Sequence, residues 1–284
     1  MSRSIGSVPR YRRRYVTAIT VIMFAVAFVY FIPLWYALNN AFKPTNSIQV
    51  QPLLLTPGNF TLDNILRAFR YLDYPGTFLN SSVVLLLTLV IAIVTGSLAA
   101  YGLVMSRNVV FTWIHNLIIL LITLPFQLAM VPLIKILYSL GLVNTRIGLA
   151  LVFSAVGLPF TIFLYSTGIR GIPYEINEAA IMDGCGMLRA FLHVYMPLLK
   201  NVTGTVMILR GVGVWNDFLI TLITITSANK MTLPLRLFSF IAMWNTDWGL
   251  LFAGTLLVTL PIIIVFLLLQ KTFIKGVASG SLKG

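Results

Sequence analysis

What most constrains this chain is a series of apolar runs, each about as long as a helix needs to cross the hydrocarbon layer of a bilayer, roughly 20 residues. Six are present, at about residues 16–38, 81–105, 111–133, 148–168, 202–224 and 251–273. Composition agrees: 58% of the 284 residues are hydrophobic and only 10% charged, where a soluble domain carries roughly 25%. The sequence therefore reads as an all-α, polytopic membrane helix bundle with six transmembrane helices. The first run, behind Arg10, Arg12, Arg13 and Arg14, is too long for the apolar stretch of a signal peptide and reads as an uncleaved anchor.

Charge sets the expected orientation. The 20 Lys and Arg against 7 Asp and Glu give a net charge of +13, but the basic residues, Arg210 and Lys271 excepted, lie between and outside the apolar runs. That pattern argues for membrane topology rather than nucleic-acid binding. With the N-terminus in the cytoplasm, the inner segments hold 12 Lys and Arg in 66 residues and the outer ones 7 in 79. Both termini are expected inside. Cys185 is the single cysteine and His115 and His193 the two histidines, which leaves no internal disulfide and no His/Cys metal cluster to propose.

The spans are not smooth rods. Pro125 and Pro132 interrupt the third, Pro159 the fourth and Pro261 the sixth, each removing a backbone donor and favouring a kink. Gly96, Ser97, Ala99, Ala100 and Gly102 give the second span a small-residue stripe suited to close helix packing. Residues 39–80, with four Pro and Gly at positions 44, 52, 57 and 58, read as an irregular outer loop ending in a short helix near 62–69.

The longest inner segment, 171–200, holds Glu175, Glu178 and Asp183 of the seven acids. Pro173 is placed to open a helix with the two glutamates at its positive end, and Gly184 and Gly186 to stop it. A short helix, a sharp turn and a second helical piece leading to Pro197 are expected. Ala179 and Ala180 flatten one side of the first helix. From the residues alone, the segment is equally a lever that docks into another protein or a solvated connector.

Glu178-Ala179-Ala180, Asp183-Gly184, Phe191 and Pro197-Leu198-Leu199 resemble the EAA loop of bacterial binding-protein-dependent ABC importer permeases. The wider resemblance is to the carbohydrate-uptake, maltose-type members. It rests on Asn80-Ser81, Ala99-Ala100-Tyr101, the stretch 140–145, Trp215-Asn216-Asp217-Phe218, Thr232-Leu233-Pro234 and Trp248-Gly249. With no internal repeat, one membrane domain accounts for 1–284, its leader and first helix at 1–38; the resemblance, which covers most of the chain after about residue 30, implies a permease core at 77–275, the coupling loop at 171–200 and a tail at 276–284. It implies that Glu178, Ala179, Ala180, Asp183 and Gly184 dock on a cytoplasmic ATPase. The partners it implies are a second homologous permease, two ATP-binding subunits that hydrolyse ATP with Mg, and an extracytoplasmic sugar-binding protein, in the bacterial plasma membrane. The tail resembles an extension that reaches towards the ATPases, though a disordered end fits it as well. Asn201, Cys185 and Lys271 depart mildly from the family's commoner pattern, and Arg210 departs more, since that part of the fifth span is usually uncharged.

A charge inside a span costs roughly 2.5–3.5 kcal/mol on insertion scales, which makes Arg210 a functional candidate. Asp217, two turns on, is too far along the axis for direct pairing. Arg210 fits either a solute cavity or an ion pair with the second subunit. Trp215 and Asn216 supply a ring and an amide of the kind that hold a sugar, although a tryptophan there also serves as an interfacial anchor. Gln127 is a further cavity candidate. No G-x-x-x-x-G-K-[ST] string occurs, so the chain has no phosphate-binding loop of that kind. No nucleophile–base constellation marks an enzyme and no cofactor is expected on this chain. A proton- or sodium-coupled secondary transporter is the alternative, weakened by the lack of an acidic or histidine relay within the spans.

Overall fold

The computed structural model describes residues 10–54, 56–106, 108–241 and 247–281, with side chains from 15 to 268 except at 55, 107 and 240–246. The basic side chains of the leader, Lys271 and the side chains of the tail lie outside the described residues. Among the described residues every regular element is helical. In order these are α1 (Arg10–Ala41), α2 (Thr45–Val50), α3 (Asp63–Tyr71), α4 (Tyr74–Met105), α5 (Val109–Leu120), α6 (Met130–Ser139), α7 (Arg146–Arg170) and α8 (Glu175–Met182). There follow α9 (Met187–Ala190), α10 (Met196–Leu198), α11 (Lys200–Asn216), α12 (Leu219–Thr224), α13 (Leu233–Ile241) and α14 (Trp248–Ser281).

Four helices are long and apolar enough to cross a bilayer: Tyr15–Ala41, Tyr74–Met105, Arg146–Arg170 and Trp248–Leu268. A fifth span is reached if one bent pair counts as a crossing. That pair replaces the continuous third helix expected at 111–133. Val109–Thr123 and Phe126–Ser139 meet at 101°, because Pro125 adopts an extended backbone (ψ 124°) and has no N–H to continue the helix. The fifth run also differs from the expected single helix over 202–224. It stops at Asn216, where Asp217 turns extended (ψ 134°). The Asp217 carboxylate accepts hydrogen bonds from the amides of Ile220 (2.9 Å) and Thr221 (3.2 Å), so it caps α12 instead of prolonging α11. Pro159 and Pro261, by contrast, sit inside continuous helices.

The chain forms two compact units. The first comprises Met1–Arg70 with Trp244–Leu257. Its small core joins Ala41, Ala68 and Ala253. Asp247 is its polar hub, accepting from the Thr45 hydroxyl (2.6 Å), an Arg67 guanidinium nitrogen (2.8 Å) and the Leu250 amide (3.1 Å) at the start of α14. Asn64 is buried and donates to the carbonyls of Lys43 (2.6 Å) and Ala41 (3.4 Å). A side chain at Gly249 would begin 2.5 Å from the Asn64 amide, so glycine is what lets the two helices approach there. Lys43 is 0% exposed, its ammonium donating to the Gln51 carbonyl (2.7 Å) just past α2. The carbonyl-rich ends of α1 and α2 favour a cation at that place.

The second unit comprises Tyr71–Met243 with Val258–Gly284. Its centre is the pairing of α4 with α7. Gly96 in the small-residue stripe faces Thr161, and a Cβ there would lie 2.5 Å from the threonine methyl, the close approach expected of such a stripe. Two apolar clusters flank this contact. One gathers Val84, Leu149, Phe153, Val214 and Ile220. The other gathers Ala100, Tyr101, Tyr165, Phe191, Tyr195 and Leu199.

Candidate coupling site and cavities

The segment from Pro173 to Leu199 is built from local chemistry. The Pro173 carbonyl accepts from the Ile176 amide (3.2 Å) and the helix α8 begins, with Glu175 and Glu178 in its first turn. At the other end Gly184 has φ +78°. Its amide donates to the Ile181 carbonyl and the Cys185 amide to the Ala180 carbonyl, both at 2.9 Å. This doubled closure is the Schellman stop, which needs a residue tolerant of left-handed φ. Asp183-Gly184 therefore ends the helix for a reason visible in its hydrogen bonds.

Of the residues that the resemblance singled out, Glu178, Ala179, Asp183 and Gly184 are exposed, while Ala180 is buried beside Asn177. The sequence reading missed their apolar neighbours. Ile181, Met182, Met187 and Leu188 stand 57%, 86%, 64% and 61% exposed around the turn. No periodicity flags so short a run, and only its position outside the apolar spans separates it from lipid-facing surface.

Behind this surface the chain is anchored. Phe191–Tyr195 makes a π-helical turn, and its Phe191 and Tyr195 rings pack on Tyr101 of α4 with centroids 5.2 and 4.9 Å away. The Tyr195 hydroxyl donates to the Met105 sulfur (3.7 Å), and Tyr165 of α7 donates to the Thr203 hydroxyl of α11 (2.9 Å). Burial among these rings, with Tyr101 and Tyr174 nearby, pushes the Tyr195 phenol up from its ordinary value, so it stays protonated and able to donate.

Other motif pieces converge in a polar network at the N-terminal end of α7. Asn80 donates to the carbonyls of Asn229 and Met231, both at 2.9 Å, and accepts from Arg146 at 2.7 Å. The Ser81 hydroxyl accepts from the Leu233 amide (2.9 Å). Asn144, at φ +59°, accepts from the amides of Thr226 and Ser227 and donates to the Ser227 hydroxyl. These residues tie the loop before α13 to α4 and α7.

The solute-path candidates are placed separately. Arg210 lines a cavity of about 650 Å³ between α7 and the broken α5/α6 pair. Its Nη2 donates to the Phe153 carbonyl at 2.6 Å. Among the described residues no carboxylate lies within ion-pair distance of it. Gln127 is exposed in the turn after Pro125; its neighbours Phe126 and Leu128 line the Arg210 cavity. Trp215 is buried, its indole N–H donating to the Val258 carbonyl (3.1 Å) and its ring edge-on to Phe78. It borders a second, apolar cavity of about 340 Å³ among α4, α11 and α14. Asn216 is exposed.

Apolar helices of spanning length, one bent pair beside a cavity and an anchored loop with an apolar tip make up a polytopic membrane helix bundle. The chain belongs to the family described as binding-protein-dependent transport system inner membrane component, whose profile matches residues 92–279. It is thus a multi-pass transporter subunit of the inner membrane and not an enzyme. It is 36% identical to the probable ABC transporter permease protein YurM of Bacillus subtilis, over 94% of this chain and 89% of that one. It is 31% identical to the melibiose/raffinose/stachyose import permease protein MelC of the same organism, over 96% and 99%. A chain from the crystal structure of a bacterial ABC transporter involved in the import of the acidic polysaccharide alginate shares the fold, with a TM-score of 0.80 at 20% identity over 94% of this chain and 99% of that one.

Proposed function

We propose that this chain is one of two membrane subunits of an ATP-driven sugar importer. It pairs with a homologous permease and works with two cytoplasmic ATPase subunits and an extracytoplasmic sugar-binding protein. The polypeptide crosses the plasma membrane six times with both termini inside, the bent α5/α6 pair and the α11/α12 pair each making one crossing. Relatives named for sugar uptake, MelC among them, support the substrate class.

One observation carries the mechanism: the exposed apolar tip at Ile181, Met182, Met187 and Leu188, held beside Glu178, Ala179, Ala180, Asp183 and Gly184 on a segment anchored to Tyr101. A surface of that kind outside the spans is suited to a cleft in another protein. The ATPases hydrolyse ATP with Mg; this chain binds neither. Their closure moves the coupling loop and shifts the bundle between inward- and outward-open states, which requires nucleotide to favour one state over the other. Gln127, Arg210, Trp215 and Asn216 border the solute path, and the tail at 276–284 reaches towards the ATPases.

Uptake by the reconstituted complex is expected to survive ionophores and to stop without ATP. The reverse pattern overturns the reading in favour of ion-coupled transport. Met182→Glu is expected to release the ATPase subunits during purification while the two permeases stay together.

A further inference from the structure

Arg210 is the single charged residue among those lining the 650 Å³ cavity; the rest of the wall is apolar, glycine or proline. A guanidinium cannot shed its proton in such a place. It therefore needs an acceptor, and among the described residues it has one neutral carbonyl, that of Phe153. Its Nε is buried without a partner. The head group is also set in position: a Cβ on Gly157 would fall 1.8 Å from both the guanidinium carbon and Nη2, so the group lies against the backbone of α7 where no other residue leaves room. A fixed cation in an apolar wall, compensated by one carbonyl, is a receptor arranged for an anion.

The rest of the wall narrows the class of anion. The volume is that of a site for a small organic molecule. Pro159 has no N–H to return to the Ala155 carbonyl one turn before it, and both residues line the cavity. That carbonyl therefore lacks its usual intrahelical donor, the kind of oxygen a hydroxyl satisfies. Phe126 and Phe160 line the same space and make part of its wall aromatic. A carboxylate acceptor, a hydroxyl donor and a flat apolar ring face occur together in a sugar acid.

We propose that this cavity is a subsite for the carboxylate of a uronic-acid residue, held by Arg210, with a ring hydroxyl on the Ala155 carbonyl. It rests on the reading of the chain as part of a sugar path. It is tested apart from that reading, by binding to the nucleotide-free complex. The assembled importer in nanodiscs is titrated with cellobiouronic acid and with cellobiose, reading thermal stabilisation at each concentration. Wild type is expected to bind the acid roughly tenfold tighter or more, the effect of a charge-assisted contact. Arg210→Gln is expected to bring the ratio to about one, and Arg210→Lys, which keeps charge without the fork, to leave a smaller preference.

Equal binding of the two probes by wild type, or a preference that persists in Arg210→Gln, overturns the proposal. If Arg210→Gln loses the second permease on purification while wild type prefers neither probe, the carboxylate comes from that subunit and the subsite is refuted. If Arg210→Gln does not assemble but wild type prefers the acid, Arg210→Lys decides: a reduced preference supports the proposal and an unchanged one overturns it. A complex that imports neutral sugars with ATP yet shows no acid preference sinks the subsite alone.

Discussion

The space where Gly157 has no side chain is occupied by the guanidinium of Arg210, which a methyl group at that glycine would overlap at 1.8 Å. Two helices are thereby matched at one point: α7 provides the notch and the accepting Phe153 carbonyl, and α11 provides the charge. Gly157→Ala is expected to destabilise the folded protein by about 1–3 kcal/mol, the range for overpacking a tight contact. The same substitution in an Arg210→Ala background is expected to cost far less, because the overlapping atoms are gone. A double-mutant cycle on unfolding midpoints checks this. Simple addition of the two single effects would mean that the guanidinium swings aside freely.

Gly184 makes a different demand, on backbone conformation instead of space. Nothing lies within 4 Å of the position of its absent Cβ, so a side chain there meets only the strain of φ +78°. Gly184→Ala is expected to cost about 1–2 kcal/mol of local stability and to loosen the stop of α8. Gly184→Asn, which tolerates that region better, is expected to cost less. Amide exchange over 175–190 reads the loosening directly, and a ranking with Asn worse than Ala would refute the turn-based account.

These two glycines mark what the sequence makes legible. Gly184 is readable because its helix, its acidic first turn and its stop all lie within a dozen residues, where periodicity and capping chemistry operate. The apolar runs are readable for the same reason. Gly157 is not, since its reason for being glycine sits on another helix. The break at Pro125 was readable as an interruption but not as a 101° turn, because a proline removes a donor without dictating where the chain goes next. Asp217 looked like a charge within a span; it is the cap of α12, which follows only once the extended backbone before that helix is known. The exposed tip at Met182 was hidden by composition, an apolar residue being unremarkable in a chain this apolar.

Asp247 gives a pH dependence in the first unit. Burial alone would raise its carboxyl, but hydrogen bonds from the Thr45 hydroxyl and the Leu250 amide, with the hydrogen bond and charge of Arg67, hold it below its ordinary value of 3.8. A carboxyl lowered on folding contributes stability that is present above the unfolded value and lost as pH falls through the folded one. Asp247→Asn, which can still cap α14 but loses the charge facing Arg67 and the helix start, is therefore expected to cost about 0.5 kcal/mol at neutral pH. The gap between variant and wild type is expected to close below pH 3.8. Thermal unfolding of both proteins from pH 7 to pH 3 measures it, and a gap that widened on acidification would contradict the arrangement around Thr45 and Arg67.

Under the proposed coupling, Tyr101 is where motion of the 171–200 loop would reach the bundle. Its ring lies 5.2 Å from Phe191 and 4.9 Å from Tyr195, on the π-helical turn that follows α9, and turns of that type often sit at functional sites. Tyr101→Leu keeps apolar bulk in the cluster but removes the ring-on-ring contacts, about 0.5–1.5 kcal/mol for each pair. If the loop only needed a place to sit, ATP hydrolysis and uptake would fall together or not at all. If the rings transmit displacement, the two separate: the ATPases remain bound and hydrolyse ATP, while sugar moved per ATP drops several-fold. Tyr101→Phe, which keeps the ring, is expected to restore the wild-type ratio, and that ratio in the reconstituted complex decides between the two accounts.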